Sequence, residues 1–129
     1  MCSVLDMPST QDITDVVHRY IELIANGRAD DLAQLYADDA TVEDPVGGEV
    51  HIGRHAIHGF YSLIENLDRK SELVSLRVAG HEAAFQFRLT LDGGDSRMQI
   101  EPIDVMVFDD DAKVTAMKAY WSPENVTQL

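Results

Sequence analysis

The sequence predicts an α+β fold with helices first and strands after them, and three features carry that prediction. Apolar residues recur at helical spacing in the first half, they alternate with period two in the second, and no repeat, linker or low-complexity tract interrupts the chain. At 129 residues, 45% of them hydrophobic, the chain suits one domain spanning 1–129 whose core needs no disulfides.

The first helix is the clearest element. Ile13, Val16, Val17, Tyr20, Ile21 and Ile24 form its apolar stripe, Ser9 with Asp12 supplies the start signal, and Asn26-Gly27 the stop. A short second helix is expected from a cap at Asp30, burying Leu32, Leu35 and Tyr36. ATVED then reads as a brief strand ending at Asp44-Pro45, where the proline holds Asp44 extended. A third helix after Gly53 places Ile57, Phe60, Tyr61 and Ile64 on one face. Three tyrosines, one on each helix, are thus expected to face inward.

Strands follow over 73–78 and 83–91, then a turn at Asp92-Gly93-Gly94-Asp95, a strand over 96–108, an acidic turn at 109–111 and a strand over 113–121. They are expected to form one antiparallel sheet. Its second strand sets Ala83, Phe85, Phe87, Leu89 and Leu91 on one side against Gln86, Arg88 and Thr90 on the other, so one face is buried beneath the helices.

Composition narrows the partners. Ten basic against 23 acidic residues give a formal net charge of -13, which repels nucleic acid and anionic membranes but does not penalise an uncharged ligand. No apolar run approaches the roughly 20 residues that span a bilayer. MCSVLDMPST lacks the basic segment and apolar stretch of a secretory signal, so the cytoplasm is the expected compartment. Cys2 is the single cysteine, which excludes a disulfide framework or a cysteine zinc cluster and reads as an ordinary thiol. His51, His55 and His58 would share a face only if helix began before Gly53, and with Arg54 between them and no HExxH pattern a metal site is not expected. The aspartates at 109–111 lack the alternating ligands and glycine of a calcium loop.

The residue that breaks the pattern is Asp104. Period-two counting sets it beside Met98, Ile100, Met106 and Phe108, with Ile103, Val105 and Val107 on the other side, so either orientation leaves it among apolar neighbours. Desolvation there would raise its pKa, and a neutral acid can donate a hydrogen bond where a carboxylate only accepts. The competing reading is an aspartate returned to water by a bulge near Pro102, or one satisfied by backbone amides. Asp44 has the opposite character: followed by Pro45-Val46-Gly47-Gly48, it should sit at a strand end near solvent, ionised and able to act as a base, although Asp-Pro before glycines is also ordinary turn chemistry. Tyr20, Tyr36 and Tyr61 have a bland alternative as core aromatics with satisfied hydroxyls.

At these residues the sequence resembles the bacterial ketosteroid isomerases, or steroid delta-isomerases, within the nuclear-transport-factor-2-like superfamily of cone-shaped α+β domains. RYIEL around Tyr20, LYADDATVEDPVG from Leu35 to Gly47, FY at Phe60-Tyr61, PIDVMVF from Pro102 to Phe108 and KAYWSPEN from Lys118 to Asn125 follow the family's motifs in the family's order. The resemblance covers nearly the whole chain, and implies a curved, mostly antiparallel sheet packed against three N-terminal helices. In that family an aspartate base works with a tyrosine and a protonated aspartate. Carried over by position, Asp44 would be the base, Tyr20 the main oxyanion donor and Asp104 the second donor. Tyr36 and Tyr61 would form the hydrogen-bond network behind Tyr20, while Met117 and Trp121 would line the pocket, Trp121 also orienting the base.

The reaction implied converts 3-oxo-5-ene steroids to conjugated 3-oxo-4-ene steroids through a dienolate, without cofactor or metal, in an expected homodimer acting on a small apolar steroid. Residues 65–100 match only loosely and leave the steroid-contacting wall open. Two other readings stand beside this one: a cyclase, dehydratase or epoxide hydrolase of the same superfamily, and a non-catalytic module that binds an apolar ligand or a partner.

Overall fold

Ser9 starts the first helix as its spacing from Asp12 predicts. Its hydroxyl accepts from the Asp12 N–H at 3.0 Å and the Asp12 carboxylate accepts from the Ser9 N–H at 3.0 Å, satisfying two amides the helix cannot pair itself. The computed structural model describes residues 8–129, so Cys2 lies outside the described residues.

Helix α1 (Thr10–Asn26) buries Ile13, Val17, Tyr20, Ile21, Leu23 and Ile24. Gly27 ends it because a Cβ there would lie 2.8 Å from the Leu23 side chain. Arg69 then closes the open carbonyls, donating to Ile24 O at 3.0 Å and Gly27 O at 2.8 Å.

Helix α2 (Ala29–Ala33) corrects two expectations. It is entered at Arg28 rather than capped by Asp30, because Asp31 stands three residues on and accepts from the Arg28 N–H at 3.0 Å. Tyr36 is not on it: the chain turns after Ala33, and Tyr36 is the first residue of strand β1 (Tyr36–Glu43). The strand is longer than ATVED because Tyr36, Ala40 and Val42 are all buried on it, the interval between Tyr36 and Thr41 being taken up by a register shift against its neighbour. β1 forms a hairpin with β2 (Val50–Ile52), a strand too short and too exposed to show in the sequence. Helix α3 (Arg54–Ser62) follows Gly53, whose φ of +88° suits glycine, and buries Ile57 and Tyr61.

The sheet continues with β3 (Asp68–Ala79), β4 (Glu82–Asp92), β5 (Arg97–Ile100), β6 (Ile103–Phe108), β7 (Val114–Tyr120) and β8 (Val126–Gln128). β3 begins upstream of residue 73 because its polar half pairs residue by residue with the end of β4, from Asp68↔Asp92 onward. The strand expected over 96–108 divides at Glu101-Pro102, where proline cannot donate to a ladder. Its register survives the break: Leu89 pairs with Ile100 and Phe85 with Asp104, so Asp104 keeps the face assigned by counting.

The sheet is curved and unclosed, in the order β2-β1-β7-β6-β4-β5-β8, with β3 on the free side of β4. It is mostly rather than wholly antiparallel, since β1 joins β7 in parallel. Its inner face supplies Phe85, Phe87, Met106, Met117 and Ala119 to the core shared with the helices. Fully burying a side chain such as Phe85 or Met106 stabilises the fold by roughly 1.5–3 kcal/mol. On the outer face Ile103 and Tyr120, paired directly across β6 and β7, are each 47% exposed.

Candidate active site

Beyond the part of the sheet that α1 covers, the inner face and the helix ends leave an apolar cavity of about 610 Å³, counting its open mouth. Tyr20 and Ile24 come from α1, Phe60 and Tyr61 from α3, Phe87 and Leu89 from β4. Asp44 and Trp121 complete the polar part of the wall. The size and the apolar lining with few polar groups suit a small hydrophobic ligand.

Asp44 follows β1 immediately, in a turn tied to β7 by the Val46 N–H donating to Ala119 O at 2.8 Å. It is half-buried rather than out at solvent as expected, because the cavity wall closes over it. Burial raises its pKa. Two contacts oppose that rise by favouring the charged form: the Trp121 Nε1–H donates to Asp44 Oδ1 at 2.6 Å, and His51 contributes a favourable charge interaction.

The three phenols form a chain. Tyr36 and Tyr61 hydroxyls lie 2.6 Å apart, and the Tyr61 hydroxyl donates to that of Tyr20 at 3.5 Å. In that arrangement the Tyr20 hydroxyl accepts from behind and its own proton is free to donate forward. The Tyr20 ring is held edge-on by Phe85 at 5.9 Å and Phe87 at 6.0 Å, which fixes the hydroxyl's aim. Burial first, then neighbouring acidic groups, raise the pKa of all three tyrosines well above the ordinary phenol value, so they remain neutral donors.

Asp104 is 1% exposed, which excludes its return to water through a bulge. Neither carboxyl oxygen has a hydrogen-bond partner among the described residues, which excludes satisfaction by backbone amides. Burial raises its pKa well above the ordinary carboxyl value, the Asp44 charge raises it further, and the neighbouring Tyr20 hydroxyl offsets only part. An ionised, unpaired carboxylate in that position would be prohibitively costly, so Asp104 is held as the neutral acid.

Asp44, Tyr20, Tyr61 and Trp121 therefore meet at the cavity wall. Tyr36, Asp104 and Met117 do not line it: they lie in the core beside it, with Met117 1% exposed and paired to Met106. The expectation that Met117 lines the pocket is not met in this structure, because its side chain is taken up by packing between β6 and β7. The three histidines do not converge: His51 stacks on Phe60, His58 pairs with Asp30 at 2.7 Å, and His55 is exposed. Among the described residues no cluster of His, Cys, Asp and Glu has metal-site geometry.

Sequence reasoning missed the wall formed by Phe87, Leu89, Leu91, Ile100 and Pro102. The signal was present in the alternation of β4. Ala83 and Phe85 on that stripe meet the core alone, while Phe87, Leu89 and Leu91 continue it along the cavity wall.

Two kinds of likeness place the chain among known proteins. Residues 17–117 match the SnoaL-like domain family. The chain is 47% identical over 113 residues to a steroid Delta-isomerase of Nocardioides simplex, a match covering 87% of this chain and 91% of that relative. In three dimensions it superposes with a TM-score of 0.85, at 23% identity and over 95% of this chain and all of the other, on the epoxide hydrolase/cyclase-like enzyme SalBIII of pyran ring formation in polyether salinomycin. The last likeness speaks for the fold alone. The apolar cavity with Asp44 on its wall, the family match and the extent of the identity agree: the chain belongs to the SnoaL-like domain family of the nuclear-transport-factor-2-like superfamily, and within it to the steroid delta-isomerase enzymes.

Proposed function

We propose that this enzyme isomerises 3-oxo-5-ene steroids to their conjugated 3-oxo-4-ene counterparts, with Asp44 as base and Tyr20 and neutral Asp104 as donors to the developing oxyanion. The observation that carries this reading is the pairing of opposites around one apolar cavity: a carboxyl whose charged form is supported by an indole N–H, and a buried carboxyl with no partner, adjacent to a phenol whose proton is free.

The ketone of the substrate takes a hydrogen bond from Tyr20 at the cavity wall, and it reaches Asp104, which lies in the core just behind that wall, when the wall side chains shift to admit it. Asp44 removes the proton from the carbon between the ketone and the double bond, the electron pair moves onto the carbonyl oxygen, and a dienolate forms. Protonated Asp44 then delivers the same proton to the far end of the conjugated system, regenerating carboxylate and ketone. No electrons or atoms are gained or lost, so the cycle needs no cofactor or metal. Preorganised donors in a dry site stabilise such an oxyanion by several kcal/mol each, roughly 2.7–4 for one donor in a comparable hole.

The same reading takes residues 1–129 as one domain of a cytoplasmic homodimer. The exposed pair Ile103 and Tyr120 on the uncovered sheet face supports the dimer, and light scattering that returned a strict monomer at micromolar concentration would count against it. No helix among the described residues is long and apolar enough to cross a membrane.

Growth of conjugated-enone ultraviolet absorbance on mixing the protein with a 3-oxo-5-ene steroid tests the reaction. Asp44→Asn is expected to bind the steroid and abolish the growth. Stoichiometric binding without turnover by the native enzyme would instead favour the non-catalytic module, and turnover of a different class of substrate the cyclase or dehydratase reading.

A further inference from the structure

His51 takes no part in the reaction as written, yet the hairpin brings it to the base. It lies at the centre of β2, directly opposite Val42 on β1. Asp44 stands in the turn one residue beyond the last pair of the hairpin, Glu43↔Val50, near the position diagonal to His51. The imidazole is turned toward the cavity: it stacks on Phe60 with ring centroids 4.8 Å apart and planes inclined by 35°. Phe60 and Asp44 are walls of the same cavity.

The charges around this pair leave His51 as the cation facing Asp44. On β1, Glu43 pairs with Val50 on the opposite face, and its carboxylate accepts from the Gly47 N–H at 2.9 Å. On β7, Lys118 pairs with Glu43 and is exposed. From α3, Arg54 is held by Asp38 at 2.9 Å, while His58 is held by Asp30 at 2.7 Å on a surface shared with His55. Glu49 is exposed in the turn. Trp121 is uncharged, and Asp104 and Tyr20 in the interior are neutral for the reasons given above.

We propose that His51 is a positioning residue for the base: its imidazolium, laid on Phe60 across the hairpin, is the counter-charge that keeps Asp44 a carboxylate in mildly acidic solution. This rests on the reading of Asp44 as the base. Burial moves the Asp44 titration upward, and a positive charge across the hairpin opposes that rise by favouring the carboxylate.

The single tryptophan makes this measurable without turnover. Because the Trp121 indole N–H donates to Asp44, its NMR resonance reports the protonation of that carboxyl. Diagonal neighbours on a hairpin stand about 7–8 Å apart, and a unit charge at that distance moves a titration by about half a pH unit at the dielectric of bulk water and by roughly one and a half at that of a protein surface. His51→Phe retains the stacking and removes the charge; it is expected to raise the midpoint by that amount. His51→Lys restores a permanent cation and is expected to leave the midpoint at or below that of the native protein. In the active enzyme the acid limb of kcat/KM moves with the midpoint. Coincident midpoints in all three proteins, or an indole titration that persists in Asp44→Asn, would overturn the inference. An inactive native enzyme whose indole titration still responds to His51→Phe would sink the isomerase reading and leave the His51–Asp44 pairing standing.

Discussion

Replacing Asp104 with asparagine tests whether the buried carboxyl is neutral. The side chains are nearly isosteric, but asparagine cannot ionise. In the unfolded chain an aspartate loses its proton near pH 3.9. In the folded protein Asp104, 1% exposed and without a partner, keeps its proton to much higher pH. Between those two values the native state holds one proton more than the unfolded state at this site, so stability declines as pH rises. One proton corresponds to a tenfold change in the unfolding equilibrium for each pH unit over which the folded state alone keeps it.

Urea unfolding of the native protein and of Asp104→Asn, at matched ionic strength across that range, isolates the effect, because the other titrating groups cancel in the ratio. The variant is expected to gain on the native protein steadily as pH rises. The gain should end at a lower pH in an Asp44→Asn background, since the Asp44 charge is the second cause of the raised pKa. A ratio independent of pH would mean that Asp104 is ionised in the folded protein at neutrality. It could then only accept, and its role as a donor to an oxyanion would be refuted.

Three further outcomes are expected. Tyr20→Phe removes the donor at the end of the phenol chain and should lower kcat by about 10²–10³, measured as enone formation at saturating steroid. Trp121→Phe removes the N–H that favours the charged form of Asp44, so the acid limb of kcat/KM should move to higher pH; a pH profile unchanged by the substitution would show that the 2.6 Å contact does not tune the base. Ser9→Ala breaks the capping pair at the start of α1, far from the cavity, and should destabilise by about 1 kcal/mol in urea unfolding with no change in kcat.

Much of the site was legible because it lies on regular elements. A tyrosine within an i, i+3, i+4 stripe faces the core, and this placed Tyr20 and Tyr61. Period-two counting placed Asp104 correctly even across the break at Pro102, because β5 and β6 pair with one continuous strand, β4, whose register carries over. Tyr36 was put on the wrong element because the turn after Ala33 has no proline or glycine to mark it. Its inward direction nevertheless held, since a buried aromatic is sequestered from either a helix or a strand.

By itself, then, the sequence determined the periodicities: which side of each long element is apolar, and that a carboxyl and three phenols fall among apolar residues. Local spacing suffices for that, because side-chain direction along a helix or strand repeats with the backbone. Only the tertiary structure decided what those groups meet. That Asp44 is half-buried and bonded to Trp121, that Asp104 has no partner, that His51 is laid opposite Val42 and on Phe60 and that Met117 packs against Met106 all depend on contacts between segments apart in the chain. Desolvation and charge proximity, which set the protonation of both aspartates, depend on distance in space, and spacing along the sequence does not encode it.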